Sequence, residues 1–440
     1  NALQEVEGWL VKALVFQESG NLESAASCID IALVSEPDNH EALQLMGITH
    51  ALSKKHALAL QYFDQALQKG ADRSQTHFNQ ANAYLELGMF QKAKESIDIA
   101  ISAKTKDERS HYTKALIEIK LQQFEAALSS CDQTIAMNSS NSKAFQLRAW
   151  IHKKLGKMIE AIADASQSIM LDSDNHESYN FMGLIMLNDM DKVEEAIKFF
   201  SVATTLDQRN PDYFANLGKA FERAGEYDKA IMAFDYVIQL EPNHALSYAY
   251  KANSLSYMDR YEEALVQCKN ALSIEPDLAP ALQIMALLQA EKGEFQDALQ
   301  TLEKALANNP TCVDTLNTKA NIASSLGLNA EATVLFDECI LKYPHFSAFK
   351  WNKGLHCLLN GDYENGWQLY EHGWNIKFRA KPRDLPSNLW LGESSLDGKT
   401  ILLVGEQGYG DMIHFCRYAA KVKRLGAKVI LEVQIGRAHV

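Results

Sequence analysis

Residues able to do chemistry gather in one short stretch near the end of this 440-residue chain. The run TILLVGE (400–406) leads into QGYGD (407–411), so Gly405, Gly408 and Gly410 precede Asp411, and His414 follows within one helical turn. An apolar run, a glycine-containing turn and a helix-forming stretch bring flexible backbone to a helix N-terminus. There the N–H groups and the dipole favour an anionic or hydroxyl-rich ligand. Gly408, Tyr409, Gly410 and His414 are therefore candidate substrate-binding residues, with Glu406 and Arg417 as neighbours. The G-x-x-G-x-G spacing is not the dinucleotide fingerprint. By residue type Asp411 has two readings: a carboxylate base acting on a hydroxyl group, or an N-cap accepting an N–H of the helix that follows. His414 is an alternative base or a structural helical histidine.

Other chemistry is sparse. The seven cysteines (Cys28, Cys131, Cys268, Cys312, Cys339, Cys357 and Cys416) are scattered and lack C-x-x-C spacing. Disulfide frameworks and metal sites need clustering or regular pairing, so the thiols read as inert core residues and no cofactor or metal is expected. The formal net charge of −13 argues against a nucleic-acid binder, because phosphate contacts require a basic face. No apolar run reaches the roughly 18 residues of a membrane span. A reducing, cytoplasmic setting is the expectation.

The elements that must carry these residues are set by a repeat. Gly or Ala recurs at Ala13, Gly47, Ala81, Ala115, Ala149, Gly183, Gly218, Ala252, Ala286, Ala320 and Gly354. The step is 34 residues, with a single step of 35 between Gly183 and Gly218. A second series follows 12 residues behind, or 13 in one case: Ala25, Ala59, Ala93, Ala127, Ala161, Ala196, Ala230, Ala264, Ala298, Ala332 and Gly366. Such a unit holds two helices and a short turn. The first series sits mid-way along helix A and the second near the start of helix B, both small so that the paired backbones approach closely. Larger residues such as Phe221, Tyr227, Ile231, Phe234 and Ile238 fill the apolar face at helical spacing. Gly20, Gly88, Gly156, Gly225, Gly293, Gly327 and Gly361 mark the turns. Pro37, Pro242, Pro276, Pro310 and Pro344 end helix B, since proline cannot continue the hydrogen-bond ladder.

The pattern, shown whole in GEYDKAIMAFDYVIQLEPN (225–243), resembles the tetratricopeptide-repeat family over roughly residues 6–380. The expected architecture is an all-α superhelical solenoid over 1–374. It comprises about eleven repeats: 6–39, 40–73, 74–107, 108–141, 142–175, 176–210, 211–244, 245–278, 279–312, 313–346 and a degenerate 347–380. The resemblance implies a concave face, lined by helix A, that receives an extended peptide or a partner helix. In the O-linked N-acetylglucosamine transferase type of repeat, an asparagine two positions before the small helix-A residue grips peptide backbone. Here Asn79, Asn216 and Asn352 hold that position, and Asn82, Asn253 and Asn321 follow the small residue by one. Both sets are interrupted. A clamp for two carboxylates would need clustered cations on neighbouring helices A, and Lys219 and Lys251 read as isolated.

The aromatic-rich GDYENGWQLYEHGW (361–374) is expected to cap the array and adhere to a following domain, beyond a linker over 375–395. The segment LWLGESSLDGKTILLVGEQGYGDMIHFCRY resembles the opening of a glycosyltransferase domain that follows such repeats in bacterial proteins. That domain is similar to the lipopolysaccharide heptosyltransferases, which have two Rossmann-like domains. The resemblance implies a strand–helix–strand start of an α/β domain over 396–434, with strands at 400–406 and 427–433 and a helix at 412–426. It also implies that Asp411 is the base and that a nucleotide sugar is the donor in a longer parent protein. The ending IGRAHV (435–440) departs from the family pattern and matches the in-frame translation of a sequencing-adapter oligonucleotide. A tail derived from the adapter, on a fragment unable to transfer sugar alone, is the expectation, with 396–440 poorly packed. Two functions follow: a glycosyltransferase whose repeats hold a protein acceptor, or a non-enzymatic scaffold.

Overall fold

The computed structural model describes residues 2–104, 106–375, 390, 392, 394–404 and 416–432. The chain divides into two units, Asn1–Leu335 and Phe336–Val440. Helices A of the repeat are α1 (Ala2–Glu18), α3 (His40–Leu52), α5 (Arg73–Glu86), α7 (Glu108–Lys120), α9 (Ser142–Lys154), α11 (His176–Asn188), α13 (Pro211–Arg223), α15 (Ala245–Tyr257), α17 (Ala279–Glu291), α19 (Val313–Ser325) and α21 (Ser347–Leu359). Helices B are α2 (Leu22–Ser35), α4 (His56–Gln68), α6 (Phe90–Ala103), α8 (Phe124–Met137), α10 (Met158–Leu171), α12 (Val193–Leu206), α14 (Tyr227–Leu240), α16 (Tyr261–Ile274), α18 (Phe295–Asn308), α20 (Asn329–Lys342) and the short α22 (Tyr363–Tyr370). Wherever proline was expected to end helix B, the helix stops two residues before it.

In the first unit each helix A from α1 to α17 packs on its own helix B, and each of these helices B packs on the next helix A. Every Gly and Ala of the two sequence series is buried. Their small size lets the paired helices approach, and in most repeats the space they leave is filled by one larger side chain from helix B. That residue lies 16 positions after the small helix-A residue, or 17 where the repeat is lengthened. A reciprocal size rule operates: Gly47, Gly183 and Gly218 face the fully buried rings of Phe63, Phe200 and Phe234. Six of the seven helix-A alanines are followed at that spacing by a residue smaller than phenylalanine, as in Ala81 with Ile97 and Ala286 with Leu302, whereas Ala320 is followed by Phe336. Glycine is required opposite the rings because an added Cβ would fall 2.5–2.6 Å from a ring carbon.

Two local devices repeat with the same period. Asn39, Asp72, Asp107, Asn141, Asn175 and Asn210 cap helices A by accepting a first-turn N–H, each contributing about 1 kcal/mol. The A–B turn places one residue in the left-handed region in every hairpin. Seven of these eleven positions are the expected glycines, and Lys54, Gln122, Asp191 and Asp259 hold the other four. The absence of glycine concealed those four turns in the sequence.

In the second unit, α21 packs against α22, which continues as a 3-10 turn over Glu371–Asn375. Further along, β1 (Thr400–Val404) and β2 (Lys428–Glu432) pair in parallel, Thr400 opposite Lys428 and Val404 opposite Glu432. Between them a 3-10 turn (Cys416–Tyr418) runs into α23 (Ala419–Arg424), and Gly426 closes it at φ +89°. The expected strand–helix–strand order is present among the described residues. Leu402, Leu425, Ile430 and Leu431 remain exposed, so this small sheet is incompletely covered.

Candidate functional site

The residues singled out around the glycine turn, Gly408, Tyr409, Gly410, Asp411 and His414, with Glu406, lie outside the described residues. The site that can be described is the face formed by successive helices A.

Side chains on this face bond from one repeat to the next. Gln17 Nε2 donates to Thr49 Oγ1 at 2.6 Å, and Thr76 Oγ1 donates to Gln44 Oε1 at 3.3 Å. His176 Nδ1 meets the Tyr213 hydroxyl at 2.8 Å. Burial, followed by the charge of Glu177, pushes that phenol up to about 12. Asn216 Nδ2 donates to Asn180 Oδ1 at 3.0 Å, and Gln283 Nε2 donates to Thr318 Oγ1 at 3.3 Å. These bonds fix polar groups in register along the array.

The six candidate asparagines do not act as one set. Asn216 is joined to Asn180, a residue the sequence reading passed over because it stands three positions before its own small residue. Asn253 Nδ2 donates to Glu222, to which Ser254 Oγ also donates at 3.4 Å. Asn82 turns back to the Phe78 carbonyl of its own helix at 3.1 Å. Asn79 accepts from Gln75 Nε2 at 3.2 Å while its own amide nitrogen is buried without a partner. Asn321 lies on α19 and Asn352 on α21 of the second unit.

A second series stitches six of the helices A to the preceding helix B. Gln80 with Asp64, Lys114 with Asp98, Arg148 with Asp132, Lys251 with Asp235, Lys319 with Glu303 and Lys353 with Asp337 are each 16 residues apart. Lys251 is thus committed to Asp235 at 2.6 Å, and Lys219 sits over the Tyr250 ring at 4.6 Å. Neither is a free cation. Arg148 also reaches the buried Asp164 at 2.7 Å. Five cysteines are buried, Cys312 is half-buried and Cys416 is exposed, and all seven are free thiols. Burial pushes Cys131 and Cys268 up to about 12.

Among the described residues no group of His, Cys, Asp and Glu is arranged to hold a metal, and no helix is long and apolar enough to cross a membrane. What the geometry offers is a polar, hydrogen-bonding surface on rigid helices.

Sequence models of the tetratricopeptide repeat match residues 10–74, 74–107, 142–175, 216–244 and 255–322, together more than half of the chain. The chain belongs to the tetratricopeptide-repeat family. No curated protein matches it. Solved structures similar to this tetratricopeptide array include yeast Tom70, 16% identical over 86% of this chain and 93% of that one, with a TM-score of 0.45. Another is the C-terminal part of a repeat-containing protein from Cytophaga hutchinsonii, 19% identical over 55% and 98%, TM-score 0.44. YrrB, described as a TPR protein with an unusual peptide-binding site, is 20% identical over 43% and 97%, TM-score 0.38. The tetratricopeptide array is a protein-interaction scaffold, as stacked repeats provide extended binding surfaces.

Proposed function

We propose that this chain is the acceptor-holding part of a bacterial glycosyltransferase, with the helix-A face binding a protein or peptide and the segment from residue 396 beginning the catalytic domain. The observation that carries the first half is the Asn180–Asn216 pair. Asn216 Nδ2 is spent on Asn180 Oδ1, so the pair, on α13 and α11, still carries an amide donor on Asn180 and a carbonyl acceptor on Asn216. A donor and an acceptor so placed complement one peptide unit of an extended strand. In this reading Asn216 and Asn253 bind peptide, and Asn79, Asn82, Asn321 and Asn352 contribute at other levels of the concave face.

The second half rests on the glycosyltransferase-like string and on a parallel β–α–β order, which is how doubly wound domains begin. In a protein continuing past residue 434, a nucleotide sugar is the donor. Asp411 takes the proton from the acceptor hydroxyl as the sugar moves from the leaving phosphate to that oxygen. Gly408, Tyr409, Gly410 and His414 hold the substrate. Residues 375–395 link the two parts, and 435–440 are adapter-derived. The protein works in the cytoplasm, where nucleotide sugars are made.

The test is nucleotide-sugar turnover by the gene product extended beyond residue 434, beside its Asp411→Asn variant. Turnover lost in the variant with an unchanged circular dichroism spectrum supports the assignment. Equal turnover reduces Asp411 to a helix cap, and no turnover in the extended protein leaves the non-enzymatic scaffold. The binding half is tested separately, by cross-linking partners to the purified array: Asn180→Ala/Asn216→Ala should lose them.

A further inference from the structure

Between the seventh and eighth repeats a carboxylate has been taken partly out of water with no salt bridge formed to it among the described residues. Glu222, on the last turn of α13, accepts hydrogen bonds from the neutral groups of Asn253 and Ser254 on α15. Burial, opposed by those two bonds and by Lys219, raises its pKa. Desolvated charges in proteins are ordinarily paired, because neutral donors alone do not repay the lost hydration.

Lys219 acts on Glu222 through its charge alone, and the other cations of these helices are bonded elsewhere. Lys219 lies over the Tyr250 ring at 4.6 Å. Arg223 donates to the Leu187 carbonyl at 2.6 Å and pairs with Asp191. Lys229 pairs with Glu226, Lys251 with Asp235 and Arg260 with Glu263.

Beside this carboxylate stands an aromatic pair. Tyr257, at the end of α15, and Tyr227, at the start of α14, stack with centroids 4.9 Å apart and planes 8° from parallel. Tyr257 is 60% exposed, and the Glu222 charge reaches its hydroxyl. A shallow cavity of about 280 Å³ opens against Tyr227 and Met258 on the other side of the pair, with Glu226, Asp228 and Lys229 on its wall. A flat aromatic face next to a desolvated carboxylate fits a planar, weakly hydrated cation that can stack and donate two bonds at once. Arginine has that form and lysine does not.

We propose that Glu222, Tyr257 and Tyr227 form a subsite for an arginine side chain presented by a partner protein's extended segment. The guanidinium bonds the Glu222 carboxylate and lies on the open face of Tyr257. The negative balance of the whole chain, −13, speeds the approach of a basic segment. The subsite deepens the reading of the helix-A face as a protein-binding surface and rests on it.

The probe is a fluorescein-labelled Gly-Ser-Arg-Arg-Ser-Gly peptide, titrated with the intact chain and followed by anisotropy, beside a peptide with citrulline in place of each arginine. The arginine peptide should bind saturably and the citrulline peptide should not. Glu222→Gln should weaken binding by about tenfold or more, the order of loss when one partner of a buried charge pair is removed, and Tyr257→Ala by about threefold or more, the loss of a cation–π contact. Asp38→Asn, which deletes one surface charge in the first repeat, should leave it unchanged. Equal binding by wild type and Glu222→Gln, an equal loss in Asp38→Asn, or no saturation overturns the subsite. If the subsite fails while Asn180→Ala/Asn216→Ala still loses its cross-linked partners, the binding face stands without it. Failure of both removes the face itself.

Discussion

The size rule between helices A and B can be tested at Gly218. Replacing it with alanine places a Cβ 2.6 Å from Phe234 Cε1 and 2.8 Å from Cζ. Ordinary contact begins at 3.4 Å, so the ring must retreat by about 0.8 Å within a close-packed core. Phe234 is fully buried and stacked on Tyr250 at 5.6 Å, which leaves it little room. Overpacking of this kind costs about 1–3 kcal/mol, while alanine in a helix interior gains about 1 kcal/mol over glycine. Overpacking is the larger effect over most of that range, so the net loss should be up to about 2 kcal/mol. Gly8 on α1 is the internal control: it is exposed and an added Cβ meets nothing within 4 Å, so Gly8→Ala should show the propensity gain alone.

The double variant Gly218→Ala/Phe234→Leu recreates the Ala286–Leu302 pairing present two repeats later. It should recover most of the loss, with a coupling energy of about 1–2 kcal/mol. Repeat arrays unfold in parts rather than in one step, so the readout is hydrogen exchange in α13 and α14 rather than a single melting point. A Gly218→Ala variant whose protection there rises like that of Gly8→Ala, or a double variant with simply additive effects, would refute the reasoning.

Lys54 and Gln122 occupy left-handed turn positions that seven other hairpins give to glycine. Lys54→Gly and Gln122→Gly should each stabilise their hairpin by about 0.5–1 kcal/mol, the relief of strain less the added chain entropy, read by local hydrogen exchange. With Ellman's reagent at pH 8, exposed Cys416 should react at once, whereas Cys131 and Cys268, pushed up to about 12 by burial, should react only after denaturation. Arg148→Met leaves the buried Asp164 facing His152 at 3.5 Å and also frees Asp132, and should cost about 3 kcal/mol, the low end for a broken buried pair, in denaturant unfolding. Lys251→Met, whose partner Asp235 is far more exposed, should cost less than about 1 kcal/mol. Asp107 caps α7, and burial pushes its carboxyl up, but hydrogen bonds from Arg109 and Ser110 outweigh this and hold it below the usual range. Its stabilising effect is therefore present above the unfolded carboxylate value, near about 4, and is lost as pH falls through the folded one. In acid α7 should lose exchange protection before α9, whose cap Asn141 does not titrate.

The repeat was fully legible in the sequence, because a solenoid writes its core locally: the same small residue must recur wherever two backbones cross. The turns marked by glycine and the helix stops marked by proline followed from backbone sterics alone. The turns at Lys54, Gln122, Asp191 and Asp259 did not, since nothing in those side chains announces a positive φ. The 16-residue spacing of Lys114 with Asp98, and of Gly218 with Phe234, was also present in the sequence, but it acquires meaning only once helix A is known to lie on the preceding helix B or on its own. The asparagines show the limit most plainly. Six were identified by position, yet Asn216 pairs with Asn180, Asn253 holds a carboxylate and Asn82 bonds its own helix. Residue type and spacing place an amide on a face. Which neighbour it meets across a gap of one repeat depends on how the helices stack, and that is decided in three dimensions.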